Sequence, residues 1–140
     1  ALFGKGKGMS ALFPCPCGSQ TPYAQCCEPC HLRGNAPTAE ALMRSRYSAF
    51  ALKLVPYLVA TTHPDKRTKT LQEELRLTCK RVVWTGLEVL DVWQGGVKQS
   101  VGKVRFRAMY VEEGKKGIHE EHARFKRYKG AWMYVDGEVQ

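Results

Sequence analysis

The sequence predicts an α+β fold in which helices pack on a curved four-stranded antiparallel sheet, with a small cysteine-rich knuckle at the N-terminal end. Three observations carry this expectation. Apolar residues recur at helical spacing through residues 37–82 and then at alternate positions. Glycine- and lysine-containing turns cut the second half into four strand-length pieces. Four of the six cysteines crowd into "CPCGSQTPYAQCC", residues 15–27, before either periodicity begins.

A chain of 140 residues suits one domain with a small appendage. Apolar residues make up 44% and charged residues 25%, the balance of an ordinary globule. No apolar run approaches the ~20 residues that span a bilayer, and "SALFPC" is too short and too polar at its flanks for a signal peptide, so the expected location is cytoplasmic. Residues 1–13 read as a disordered leader; "ALFGKGKG" looks like a vector remnant placed before Met9. The formal net charge is +9, which suits an acidic partner or an RNA backbone. Lys5 and Lys7 in the leader contribute to it, and a four-thiolate zinc site would be anionic, so the basic character of the folded part is milder.

Residues 14–36 form the expected knuckle and its linker. Four readings of the cysteines compete: a metal site, disulfides, a reactive thiol, and buried free thiols. Disulfides need an oxidising compartment that nothing here signals, and adjacent Cys26 and Cys27 pair badly. Reactive thiols usually stand in CxxC, whereas this stretch has CxC and CC. Four soft ligands in a short loop suit tetrahedral Zn2+, and so small a segment would draw most of its folding energy from the ion, on the order of 10 kcal/mol. The expected ligands are Cys15, Cys17, Cys26 and Cys27, with His31 and Cys30 as alternates for the fourth place. Gly18, Ser19 and Pro22 supply turn chemistry, and Tyr23 a shielding ring.

Residues 37–140 form the expected α+β cone. Thr38 caps a helix, "PTAEALMRSRYSAFAL", whose apolar stripe is Met43, Tyr47, Phe50 and Leu54; Arg44 and Ser48 fall on its polar side. Pro56 opens a short helix, "PYLVATTH". Thr70 and Glu73 read as a capping box for a third, with Leu71, Leu75, Cys79 and Val82 on one face and Cys79 as core filling. Strands are expected at 84–93, 98–111, 118–129 and 132–136. Val104, Phe106, Ala108 and Tyr110 face inward, as do His119, Glu121, Ala123 and Phe125; Glu120 faces outward, where Arg105 or Arg107 meets it.

Candidate pocket groups inside such a cone are Glu121, Arg46, Tyr47, His63, His119 and Asp91. A carboxylate on Glu121's apolar face needs a partner or a raised pKa. Arg46 lies near the apolar boundary, with Glu88, Asp91 or Glu121 as possible partners, or with its stem simply covering the core. His63 before Pro64 reads as a carbonyl cap, and Asp136 before Gly137 as a turn former. His119 and His122 fall on opposite faces and share a metal only across a bulge; His119 and Glu121 lack a third ligand. Arg124, Lys126, Arg127 and Lys129 with Tyr128 and Trp132 offer a surface for stacking bases, although alternation divides them between two faces, no RNA-binding motif is recognisable, and a solvated sheet face is the favoured account.

"CPCGSQTPYAQCC" resembles the SEC-C motif, the zinc knuckle at the C-terminal end of the SecA translocation ATPase: Cys15, Pro16, Cys17, Gly18, Ser19, Tyr23, Cys26 and Cys27 fit it. Gln20 stands where that motif has a second glycine, and Thr21-Pro22 where it has a basic pair. Together with "PTAEALMRSRYSAF", "YLVATTHP", "GKVRFRAMY" and "HEEHARFKRYKGAWMYVDG", the chain resembles the YchJ family, a SEC-C knuckle joined to an NTF2-like domain. The resemblance implies an NTF2-like cone over 37–140 and one structural Zn2+. In SecA the knuckle takes part in contacts with a chaperone and the ribosome. The expectation is therefore a non-enzymatic module, monomer or homodimer, that engages a protein or ribosome-associated partner. Its rival is an NTF2-like cone that binds or converts a small molecule in its pocket; direct RNA binding is the third reading.

Overall fold

The structure, a computed structural model, describes residues 13–140; the expected leader lies outside them apart from Phe13. Phe13 itself joins the knuckle: its carbonyl accepts the Tyr23 N–H at 3.0 Å and its ring centroid lies 5.2 Å from that of Tyr23. After a 3-10 turn at Tyr23–Gln25 come helices α1 (Glu28–Arg33), α2 (Ala39–Leu52) and α3 (Val55–Ala60), a second 3-10 turn at Pro64–Lys66, and α4 (Leu71–Arg81). Strands β1 (Val82–Gln94), β2 (Val101–Glu112), β3 (Lys115–Tyr128) and β4 (Ala131–Val139) follow. They form one antiparallel sheet in the order β1-β2-β3-β4, so the expected α+β fold is present.

Local chemistry sets the helix ends. Thr38 has extended backbone and its hydroxyl accepts the Ala41 N–H at 3.0 Å, the expected cap. Lys53, with φ 62°, ends α2 in the left-handed region, so Leu54 falls outside the helix and joins a second core cluster with Ala49, Leu58 and Cys79. The capping box at α4 does not form. Thr70 has helical rather than extended angles, so its hydroxyl cannot reach back over the first turn; it donates to Glu74 at 2.9 Å, and Glu73 pairs with Arg76 at 2.6 Å.

The main core lies between α2 and the sheet. Leu42, Met43, Val104, Ala108, Ala123, Phe125 and Trp132 are all buried there, and the inward face of β2 and β3 is the one the alternation predicts. Truncating a fully buried leucine such as Leu42 or Leu58 should cost about 2–5 kcal/mol. On the outer face Glu120 accepts from Arg105 at 3.1 Å and from Arg107 at 3.2 Å, and Arg107 also reaches Glu88 at 3.1 Å.

Three irregularities curve the sheet and decide which side chains reach the cone's interior. Register shifts occur in β1 between Trp84 and Gly86 and between Val89 and Asp91, and in the β3–β4 ladder at Arg124/Phe125, where Val135 is the extra residue. A bulge adds twist and resets the alternation. After Leu87 and Val89, strict alternation would turn Asp91 inward. The extra residue Leu90 instead sets Asp91 opposite Arg105, on the exposed outer face. Asp136 is likewise not a turn former: β4 runs through it, and both its oxygens accept from Arg124 at 2.6 Å.

Candidate metal centre and cone cavity

The loop before α1 brings four sulfurs together. Gly18, with φ +80°, reverses the chain after Cys17, and its N–H reaches the Cys15 carbonyl at 3.1 Å. The 3-10 turn and the start of α1 return Cys26 and Cys27 to the same point. Cys17 Sγ lies 3.6 Å from Cys26 Sγ, which lies 4.0 Å from Cys27 Sγ; all four, with Cys15, are within 4.8 Å of one another. Tetrahedral Zn–S bonds of about 2.3 Å set sulfurs roughly 3.8 Å apart, so the donor set and spacing fit the ion.

The electrostatics point the same way. Hydrogen bonds from Cys15 and Cys27 hold the Cys17 thiol far below its usual range, and the matching contacts push Cys27 far above it. Burial, then the neighbouring Cys17, push Cys26 up to about 11. The contacts that favour a thiolate on Cys17 thus disfavour one on Cys26 or Cys27. A bound dication is what lets four thiolates coexist.

Around the sulfurs stands a shell of donors that sequence patterning did not identify. Ser48 Oγ donates to Cys27 Sγ at 3.2 Å and lies 3.4 Å from Cys15 Sγ, and Ser48 is fully buried. Ser19 Oγ lies 3.1 Å from Cys26 Sγ. Arg44 donates to the Cys17 carbonyl at 3.1 Å while paired with Glu40 at 3.0 Å. The side of α2 expected to face water therefore receives the knuckle.

The two alternate ligands are placed elsewhere. Cys30 is buried but is not one of the four converging sulfurs. His31 spends both ring nitrogens: Nε2 donates to the Ser45 carbonyl at 2.8 Å, which leaves Nδ1 to accept from Tyr23 Oη at 2.7 Å. Burial lowers its pKa, consistent with a neutral ring that braces the knuckle on α2.

The cone encloses a cavity of about 660 Å³, walled by Met43, Phe50, Leu75, Trp84, Phe106 and Tyr110. Of the expected pocket groups, Arg46, Tyr47, His119 and Glu121 line it. Asp91 does not, for the reason given by the Leu90 bulge. His63 does not either: it is buried outside the cavity, where Nδ1 accepts the Asp65 N–H at 3.1 Å, so it caps an amide rather than a carbonyl. Tyr47 is pushed up to about 12 by burial.

Glu121 finds its partners without an arginine contact. Oε1 takes His119 Nε2 at 2.8 Å and Oε2 accepts from Tyr134 Oη at 2.6 Å. Burial pushes its carboxyl up, but these hydrogen bonds, with the nearby Arg46 charge, outweigh it and the net direction is down. Gly137 makes the fit possible, since a Cβ there would overlap the Glu121 carboxylate. Arg46 meets none of Glu88, Asp91 or Glu121 directly; it donates to Leu58 O, Thr61 Oγ1 and Thr62 Oγ1.

Both arginines of the expected base-stacking surface are committed to the protein itself. Arg124 is held by Asp136. Arg127 donates to Gln99 O, Gly130 O and Val97 O and lies 4.5 Å over the ring of Trp132, which is 2% exposed and closed to a base. Among the described residues no helix is long and apolar enough to cross a membrane.

Comparison with known proteins agrees with this architecture. Residues 38–137 match the family described as YchJ, middle NTF2-like domain, and residues 14–29 match the SEC-C motif. A UPF0225 protein of Streptomyces coelicolor is 44% identical over 89% of this chain and 94% of its own length. The UPF0225 protein YchJ of Shigella dysenteriae is 40% identical over 88% of this chain and 81% of its own. The solution structure of a SEC-C motif containing protein from Rhodopseudomonas palustris superposes with a TM-score of 0.82 at 35% identity, covering 91% of this chain and 99% of that one. A crystal structure of a SEC-C motif containing protein from Psychrobacter arcticus gives 0.76 at 28% identity, covering 94% and 85%.

Proposed function

The chain belongs to the YchJ (UPF0225) family, and on that premise we propose that it is an interaction module in which one structural Zn2+, held by Cys15, Cys17, Cys26 and Cys27, fixes the knuckle against the NTF2-like cone for a protein or ribonucleoprotein partner. The observation that carries this reading is the convergence of four sulfurs within 4.8 Å of one another, with Ser48, Arg44 and His31 tying the same loop to α2. Four protein ligands close a tetrahedral ion and leave no place for a reactive water, so the ion's contribution is to folding rather than to hydrolysis. The knuckle it orders carries exposed apolar groups: Leu32 on α1 is 77% exposed and Phe13 is 36% exposed.

The test is native mass spectrometry of protein purified without added metal, followed by chelation and by co-sedimentation with ribosomes. The reading expects one zinc per chain and ribosome association that chelation abolishes. A metal-free protein would overturn the zinc site, and association indifferent to chelation would overturn the knuckle as the docking surface.

A further inference from the structure

Arg46 carries a charge that the protein leaves half-served. Its side chain is buried to all but 8%, and every one of its hydrogen bonds leaves from Nη1, to Leu58 O at 2.9 Å, Thr61 Oγ1 at 2.7 Å and Thr62 Oγ1 at 3.4 Å. These acceptors are neutral. Nε and Nη2 have no acceptor among the described residues, and the guanidinium lines the cavity, 4.7 Å over the Tyr134 ring. Burial lowers its pKa to about 10, which leaves it cationic at neutral pH. A buried guanidinium ordinarily has an anion against it.

The nearest carboxylate, Glu121, makes no hydrogen bond to Arg46: His119 and Tyr134 bond its two oxygens, and its charge reaches the guanidinium only through space. A second donor is also unspent: Trp84 Nε1 is buried with no partner among the described residues, on a side chain that lines the same cavity. The lining also holds the acids Glu112, Glu121 and Asp136, while Met43, Phe50, Trp84, Phe106 and Tyr110 form its apolar part. The volume, about 660 Å³, falls in the ordinary range of small-molecule sites, roughly 300–1,000 Å³.

We propose that the cone is a binding site for a small carboxylic acid with a flat apolar body, its carboxylate on Nε and Nη2 of Arg46 and its body against Trp84 and Phe106. The planar guanidinium fork matches a carboxylate with two parallel hydrogen bonds. A carboxylate brings one negative charge into the cavity beside Glu121, whereas a dianionic phosphate would bring two. The site does not depend on the zinc reading, since none of the four clustered cysteines lines the cavity.

The test uses the full chain with 2-naphthoate and its neutral analogue 2-naphthamide, followed by calorimetry and by the indole N–H signals in ¹H–¹⁵N spectra, with Trp84→Phe assigning the Trp84 signal. The expected result is saturable naphthoate binding that shifts the Trp84 indole signal, with the amide about ten- to a hundredfold weaker. Arg46→Met should bring naphthoate down to the level of the amide and leave the amide unchanged. Equal affinity for acid and amide would overturn the proposal, as would saturable binding of neither. The acid–amide comparison requires no variant, so it decides the matter even where Arg46→Met does not fold.

Discussion

Ser48 Oγ donates to Cys27 Sγ across 3.2 Å, a hydrogen bond between the middle of α2 and the last of the four converging cysteines. It is completely buried, and it joins two elements that the sequence separates by a linker. Donors placed behind ligands orient them and steady their charge, and their removal typically costs 10–100-fold in metal affinity. Ser48→Ala is therefore expected to weaken zinc binding by about ten- to a hundredfold while the cone keeps its fold. Competition against a chromogenic chelator measures this. An affinity equal to wild type would show that Ser48 is mere packing.

Cys17→Ser and Cys30→Ser separate ligand from neighbour. Cys17 stands among the four sulfurs, whereas Cys30 is buried outside the set. Loss of one thiolate from a closed site removes most of the energy that folds the loop. Cys17→Ser should abolish zinc and disorder residues 15–31, with cone amides unmoved; Cys30→Ser should retain one zinc. Metal content and amide spectra of both proteins check this, and zinc lost from Cys30→Ser would make Cys30 a ligand.

These variants also show where the sequence could be read and where it could not. Helical spacing identified Met43, Tyr47 and Phe50 as the inward stripe of α2, and all three line the cavity. The same logic sent Arg44 and Ser48 to water, because a polar helix face normally meets solvent. A metal knuckle is a partner of another kind: it has little apolar surface and presents sulfurs and carbonyls that want donors, so a polar face is what it needs. Hydropathy cannot tell such a face from a wet one. Asp91 was misplaced for a different reason. One extra residue, Leu90, inverts every later side chain of β1, and nothing in its residue type announces a bulge. The cysteine cluster was legible because its four sulfurs lie close in sequence, whereas Arg46, Glu121 and Tyr134 are brought near one another only by the sheet.

Glu121 should make stability depend on pH on the acid side. Its folded carboxyl lies below the ordinary value of 4.5. The unfolded chain therefore takes up the proton first as pH falls. The stabilisation is fully present above about pH 4.5 and is lost as pH drops through the folded value. Glu121→Gln keeps an acceptor for Tyr134 and cannot titrate. Denaturant melts between pH 6 and 3 should show a shallower loss for the variant than for wild type. Parallel curves would mean that His119 and Tyr134 do not hold the carboxylate.

Gln20 occupies the position where the SEC-C motif has its second glycine, and it adopts a glycine's backbone, with φ 70°. A side chain in that left-handed region costs about 1–2 kcal/mol, while glycine gives back some of this, roughly 0.5–1 kcal/mol, in chain entropy. Gln20 is exposed, so replacing it removes little packing. Gln20→Gly should therefore tighten the knuckle by up to about 1 kcal/mol, and Gln20→Val should loosen it by more, since a β-branched residue is a true outlier there. The chelator concentration that releases half the zinc should rank glycine above glutamine above valine. The opposite order of the outer two would mean that the loop's turn does not require a positive φ at this residue, and that the departure from the motif marks a differently folded turn rather than the same turn under strain.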